Sequence, residues 1–187
     1  MDETIFIAEA KKGDKTAFEK LVFKYQQKVY NYALRMTGDP TLSEDICQEA
    51  LIKAYRSITS FRGDSSFSTW LYRIVYNTCQ DYWRKEGGAS GMKVYSSEGN
   101  VDEIKGDLSD AVLRLFYDRL RQEEIQDWIA KLITQLSPEF RAILILRDIQ
   151  GFSYQEIAEI VDASIGTVKS RLNRARNQLR TLLSGNF

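Results

Sequence analysis

Apolar positions recur at helical spacing through most of the chain, and no stretch keeps the two-residue alternation of a half-buried strand. Phe18, Leu21, Val22, Tyr25, Val29, Tyr32, Ala33 and Met36 share one face of a long amphipathic helix. Its end is predicted at Thr37-Gly38-Asp39-Pro40, where glycine can take the left-handed cap and proline stops propagation. A second helix is expected behind Thr41, with Glu44 at capping-box spacing. Its buried stripe reads Cys47, Ala50, Leu51, Ala54, Tyr55 and Ile58. A loop from Ser60 to Ser65 then leads to a third helix, from about Phe67 to Arg84.

From Gly87 to about Gly106 the pattern lapses into glycine, serine and charge, which predicts a flexible linker. Helical spacing resumes near Asp110 and continues to Leu136, before Ser137-Pro138, a capping serine and a first-turn proline. The following helix runs from Pro138 to about Ile149 and is broken by Gly151. The expected architecture is all-α: two small helical domains, at 1–86 and 110–187, joined by a linker at 87–109.

The last segments are more specific. Ser153 and Glu156 have capping-box spacing ahead of a short helix with the apolar stripe Tyr154, Ile157, Ala158 and Val161. Asp162-Ala163 makes a tight turn, and Ser164 can cap a longer helix. A short helix, a tight turn and a longer basic helix are the parts of a DNA-binding helix-turn-helix, here ending the chain. On the longer helix Val168, Leu172, Ala175 and Leu179 face inward, while Ser170, Asn173, Arg174 and Asn177 lie opposite. Lys169 and Arg176 flank that polar face on one side and Arg171 on the other. Arginine can fork onto guanine, asparagine can pair with adenine, and lysine and serine serve bases or phosphates. Gly166 and Thr167 would let first-turn amides approach a phosphate.

Charge supports this locally, not globally. The 187 residues carry 26 basic and 26 acidic side chains, yet from Ser164 onward there are five basic residues and no acidic one. Histidine is absent, which removes the commonest general base and metal ligand and argues against an enzyme. Asp45, Glu49 and Asp64 are conceivable metal carboxylates, but Gln48, Ile52 and Lys53 interrupt the face that Asp45 and Glu49 share. Cys47 and Cys79 fit no zinc or redox spacing and are expected to be reduced and buried. No apolar run approaches bilayer length and the acidic N-terminus is unlike a signal peptide, so a cytoplasmic chain without membrane insertion is expected.

The segment Ser153-Tyr154-Gln155-Glu156-Ile157-Ala158, followed by Ile165-Gly166-Thr167-Val168-Lys169-Ser170-Arg171-Leu172-Asn173-Arg174-Ala175-Arg176, resembles region 4 of the extracytoplasmic-function sigma factors. That resemblance implies binding to the minus-35 promoter element. Lys169, Ser170, Asn173 and Arg174 would face bases, Thr167 and Arg171 would hold phosphates, and Arg176 would flank them. Ser164 stands where the family often has proline, and Asn173 where an aromatic or histidine is frequent.

In the N-terminal half, Asp45, Gln48, Glu49, Ile52, Lys53 and Arg56 form the face opposite the buried stripe. Ile52 in the middle of it is either an unremarkable exposed isoleucine or the apolar anchor of a docking face with a charged rim. The run Glu44 to Tyr55 is similar to sigma region 2.2, which implies docking on the polymerase clamp helices. Phe61-Arg62-Gly63-Asp64-Ser65-Ser66-Phe67, continuing through Thr69-Trp70-Leu71-Tyr72-Arg73-Ile74 to Asn77, is similar to region 2.3.

Minus-10 recognition and strand opening would then fall to Phe61, Arg62, Gly63, Asp64, Ser65, Phe67, Arg73 and Asn77, with Arg84 and Lys85 along the phosphates. Trp70, Leu71 and Ile74 read as core, whereas Phe67 and Tyr72 suit either core or base stacking. The resemblance implies a sigma factor of no catalytic activity and no cofactor, partnered by core polymerase (clamp helices and flap), promoter DNA and an anti-sigma factor, in a stress or envelope response. A stand-alone dimeric helix-turn-helix regulator is the alternative.

Overall fold

The computed structural model describes residues 3–87 and 131–184, and among these every regular element is helical. Gly87, predicted to open the linker, instead ends a helix; the rest of the predicted linker and the helical signal from Asp110 to residue 130 lie outside the described residues. The N-terminal half contains α1 (Glu3–Lys11), α2 (Lys15–Thr37), α3 (Pro40–Ser57), a 3₁₀ turn at Ile58–Ser60 and α4 (Phe67–Gly87). The C-terminal half contains α5 (Pro138–Leu144), a π-helical turn at Ile145–Ile149, α6 (Tyr154–Val161) and α7 (Ile165–Ser184).

Local chemistry sets the boundaries. Asp14 caps α2 by accepting from the amides of Thr16 and Ala17, and Gly38 ends it at φ 75°. The predicted start of α3 behind Thr41 is corrected: Asp39 is the N-cap, accepting from the Leu42 amide, and Pro40 occupies the first turn. Ser137 and Pro138 open α5 as expected, and Ser153 with Glu156 forms both halves of a capping box on α6.

The predicted faces are largely those observed. On α2, Phe18, Leu21, Tyr25, Val29, Tyr32, Ala33 and Met36 are buried, and Val22 lies at the margin of the core. The α3 stripe needs one correction: Tyr55 is 39% exposed at the stripe's edge, with its ring edge-on to Phe18, and Ile46 fills the interior instead. Tyr72 is core, packed edge-on to Tyr32 at 5.3 Å. Both cysteines are free and buried, and burial pushes the Cys79 thiol up to about 12.

The two halves pack against one another. Tyr72 of α4 stacks edge-on with Phe152 at 4.9 Å and donates to the Gln150 side-chain oxygen at 2.9 Å. The Thr69 hydroxyl donates to Glu156 at 3.3 Å. At the far end, the buried Arg141 guanidinium donates to the Met36 carbonyl at the C-terminus of α2. That carbonyl would ordinarily accept from residue 40, a proline with no N–H, so α5 supplies the missing donor. Gly38 permits the approach, because a Cβ there would stand 2.8 Å from the Thr134 methyl.

Candidate nucleic-acid interface and docking face

Helix α7 is presented by the packing of α6. The buried row Val168, Leu172, Ala175, Leu179 and Leu183 seats it, so its polar face is turned outward by elimination. Lys169, Ser170, Asn173 and Arg174 are all exposed, and Arg174 makes no ion pair with any described residue. Ser164 caps the helix by accepting from the Thr167 amide at 3.1 Å, and the two hydroxyls pair at 2.8 Å. The remaining first-turn amides are those that a helix N-terminus leaves without intrahelical acceptors.

Two of the predicted cations are already engaged. Arg176 forms a forked pair with Asp148, at 3.1 and 2.6 Å, and so anchors α7 to the π-helical turn. Arg171 meets Glu139 of α5 at 3.0 Å. Both side chains remain partly exposed. Arg147 escaped sequence reasoning. Its guanidinium lies over the Tyr154 ring at 4.7 Å, with the Lys169 ammonium 5.7 Å from the same ring. Two cations on one aromatic concentrate positive charge beside the recognition helix. The available signal was Tyr154 itself, read as apolar stripe but half-buried here, while Ile160 takes the buried place. Ile165, 40% exposed in the first turn of α7, was also missed, and an apolar group there suits a thymine methyl.

In the N-terminal half, Ile52 stands 50% exposed on α3, with Asp45, Gln48 and Arg56 exposed around it. Tyr55, three residues on, enlarges that apolar spot. Lys53 and Glu49 differ from the rest of the predicted face. The Lys53 ammonium reaches Glu49 at 2.8 Å and Asp81 and Thr78 of α4 at 3.2 and 3.3 Å. Desolvation works to lower the Lys53 pKa, but its bonds to Glu49 and Asp81 outweigh it and raise it. The same bond to Lys53 lowers Glu49. These two residues hold α3 on α4 at the rim of the docking face.

The loop ahead of α4 turns at Gly63, whose φ of 84° and open surroundings mark a left-handed turn. Arg62, Gly63 and Asp64 are exposed and Ser65 is half-buried. Phe61 and Phe67 are buried instead, in a cluster with Trp70 and Tyr25 whose ring centroids lie 5.3–5.8 Å apart. Their packing fixes the loop's ends. Lys11 of α1 donates to the Phe61 carbonyl at 2.8 Å. A shallow cleft of about 400 Å³ opens between α1 and the loop, with Ile7, Lys11, Phe61, Arg62 and Gly63 in its lining. Asn77 does not line it; it sits exposed on α4, one turn beyond Arg73. Arg73 is exposed and stands 3.9 Å from Asp162 of the helix-turn-helix turn. Among the described residues no three His, Cys, Asp or Glu side chains converge where a metal could sit, and no helix is long and apolar enough to cross a membrane.

Residues 21–88 match the family model for sigma-70 region 2, and residues 126–179 match that for sigma-70 region 4. The RNA polymerase sigma-H factor of Pseudomonas aeruginosa is 36% identical over 173 residues, covering 92% of this chain and 89% of that protein. The ECF RNA polymerase sigma-E factor of Escherichia coli is 37% identical over 182 residues, covering 96% and 93%. Among solved structures, the sigma factor RpoE of Bartonella quintana, in complex with the anti-sigma factor NepR, superposes with a TM-score of 0.65 at 28% identity, covering 89% of this chain and 96% of that one. CnrH, bound to the cytosolic domain of CnrY, shares the fold at a TM-score of 0.69 and 24% identity, covering 98% and 97%. With regions 2 and 4 in order and relatives matched along nearly their whole length, this chain belongs to the extracytoplasmic-function branch of the sigma-70 family.

Proposed function

We propose that this protein directs RNA polymerase core to promoters of two separated elements and opens the downstream one, with no catalytic step of its own. The observation that carries this reading is the pairing, in one chain, of an exposed recognition face on α7 with the exposed Ile52 anchor on α3. The first is suited to base edges in a major groove; the second is suited to a protein partner. A dimeric repressor could turn such a face to its own copy, and the match of residues 21–88 to sigma-70 region 2 favours polymerase instead.

In this reading Lys169, Ser170, Asn173 and Arg174 read bases of the upstream element. Thr167, Arg147 and Arg171 contact phosphates, with Arg171 exchanging Glu139 for DNA, and Arg176 holds the helix in place through Asp148. Asp45, Gln48, Ile52 and Arg56 dock on the polymerase clamp, with Glu49 and Lys53 bracing that face, and the C-terminal half touches the flap. The loop Arg62–Ser65, its cleft against α1, Arg73 and Asn77 receive the opened strand. Binding energy separates the duplex: an unstacked base gains a pocket and the exposed backbone gains cations. No cofactor enters. The working compartment is the cytoplasm, where the polymerase is. An anti-sigma factor is the expected inhibitor, since the Bartonella quintana relative is solved with one.

Runoff transcription with purified core polymerase on a promoter library, with and without the protein, tests the proposal. Initiation that depends on the protein and selects a shared two-part promoter is expected. Arg174→Ala should then relax selection at the upstream element alone, by roughly 1–3 kcal/mol of discrimination. Tight binding to a palindrome without polymerase, and no initiation with it, would overturn the proposal in favour of a dimeric helix-turn-helix regulator.

A further inference from the structure

Helix α1 lies ahead of residues 21–88, the segment that matches sigma-70 region 2, yet it is built against the loop that follows Phe61. Its N-terminal end is fastened to α2. Glu3 accepts from the Tyr25 hydroxyl at 2.8 Å and pairs with Lys24, and the Lys20 ammonium lies 5.0 Å from the centre of the Phe6 ring. Its C-terminal end reaches the loop. The Lys11 ammonium donates to the Phe61 carbonyl at 2.8 Å, across 50 residues of sequence. Lys12 beside it takes the Glu9 carboxylate at 2.9 Å, and Lys11 forms no ion pair with a described residue.

That hydrogen bond completes one of two anchors. On the near side of the loop the Phe61 ring is buried, its amide donates to the Ile58 carbonyl at 3.1 Å, and its own carbonyl is held by Lys11. On the far side the Ser66 hydroxyl accepts from the Thr69 amide at 3.1 Å, and the Ser66 carbonyl from the Trp70 amide at 3.1 Å. Between them Arg62, Gly63 and Asp64 are exposed, with Gly63 at φ 84°, and the Arg62 and Asp64 side chains form no ion pair with a described residue. The cleft of about 400 Å³ lies between this stretch and α1, so a shift of the loop changes its width. A loose loop can reshape around a wrong base, whereas one fixed beforehand leaves that base with unmatched groups. Phe61 and Ser66 belong to the loop's own segment; Lys11 comes from α1.

We propose that Lys11 is a positioning residue for reading the opened strand: through the Phe61 carbonyl it sets the loop Arg62–Ser65 against α1, and so sets the preference for one base of the downstream element. This role rests on the promoter reading given above. The loop's conformation, however, belongs to the free chain and can be measured without DNA.

Lys11→Met removes the donors and keeps most of the stem, while Lys11→Arg keeps a cation of similar reach. In the free full chain, trypsin cleavage after Arg62, timed by mass spectrometry, should quicken about threefold to tenfold in Lys11→Met. That is the factor one hydrogen bond of ordinary net strength supplies when cleavage follows the open population. Lys11→Arg should return the rate close to that of the parent. With core polymerase, initiation is then measured on promoters carrying each of the four bases at every position of the downstream element. Lys11→Met should reduce the preference at one position by about the same factor and leave selection at the upstream element as it was. The salt dependence of promoter binding should not change, because no phosphate contact is lost. Circular dichroism and urea midpoints identify a variant that has lost its fold; Lys11→Gln, which keeps a neutral donor and should fall between parent and Lys11→Met, then decides.

Unchanged cleavage after Arg62 in Lys11→Met would overturn the positioning role, as would an unchanged base preference. A loss of affinity for every sequence, with a salt slope smaller by about one, would overturn it too, by making Lys11 a phosphate contact. Failure of every form, the parent included, to initiate with core polymerase would instead remove the promoter reading, and the cleavage rates would still decide whether Lys11 sets the loop.

Discussion

Replacing Arg141 by methionine keeps an unbranched side chain of similar reach and removes every donor. Arg141 is 4% exposed, and its guanidinium serves the carbonyls of Ile133, Thr134, Leu136 and Met36. A buried carbonyl left without a donor costs about 1–3 kcal/mol. Thr134 and Gln135 border solvent, so water can reach part of this turn, whereas Leu136 and Met36 are buried. Against that loss stands a refund, since burying the charge is itself unfavourable: desolvation lowers the Arg141 pKa to about 10, and the thioether carries no such cost.

The net expectation is a loss of about 2–4 kcal/mol, or roughly 4–16 °C in Tm for a chain of this size. Urea denaturation followed by far-UV circular dichroism and tryptophan fluorescence measures it, with Trp83 6.0 Å from the guanidinium as a local reporter. Arg141→Lys should recover part of the loss. A change below about 0.5 kcal/mol in the methionine variant would mean that these carbonyls find donors without Arg141, and would refute the reasoning.

Ile52→Ala should leave stability within about 0.5 kcal/mol of the parent, because the side chain is half exposed, yet weaken binding to core polymerase by about 1–2 kcal/mol in a titration. Phe67→Ala should cost about 3–5 kcal/mol of stability, as expected for a ring 3% exposed within an aromatic cluster; unchanged stability with impaired strand opening would instead make the ring a stacking platform. Glu156 is held below its ordinary value of 4.5, first by the Ser153 amide, and Glu49 is lowered by Lys53. A carboxylate depressed in the folded state stabilises above its unfolded pKa and loses that contribution as pH falls through the folded value. Urea midpoints should therefore hold from neutrality to about pH 5 and fall below about pH 4.5, with a shallower fall in Glu156→Gln.

The sequence by itself determined the helical class, most helix ends and the seating of α7. These follow from short-range rules: apolar spacing selects the face, and Gly38, Ser137, Ser153 and Ser164 act within a few residues of themselves. Ile52 was legible as exposed for the same reason. At the start of α3 the Thr41–Glu44 spacing pointed to the wrong residue, because Pro40 fits the first turn and Asp39 ahead of it caps the helix.

Tertiary structure decided the partners. Whether a cation on a polar helix face meets solvent or a carboxylate depends on residues far away in the chain. Arg174 is exposed without an ion pair among the described residues, while Arg176 is tied to Asp148 and Lys53 to Asp81, and spacing along one helix cannot separate these cases. Phe67 was undecided between core and stacking until Tyr25, from another helix, was found against it, and Phe61, expected at the minus-10 site, is buried in the same cluster. The meeting of the two halves was equally illegible. It is made by isolated contacts, such as Tyr72 with Phe152 and Arg141 with the Met36 carbonyl, and one hydrogen bond across 105 residues leaves no period in the sequence to read.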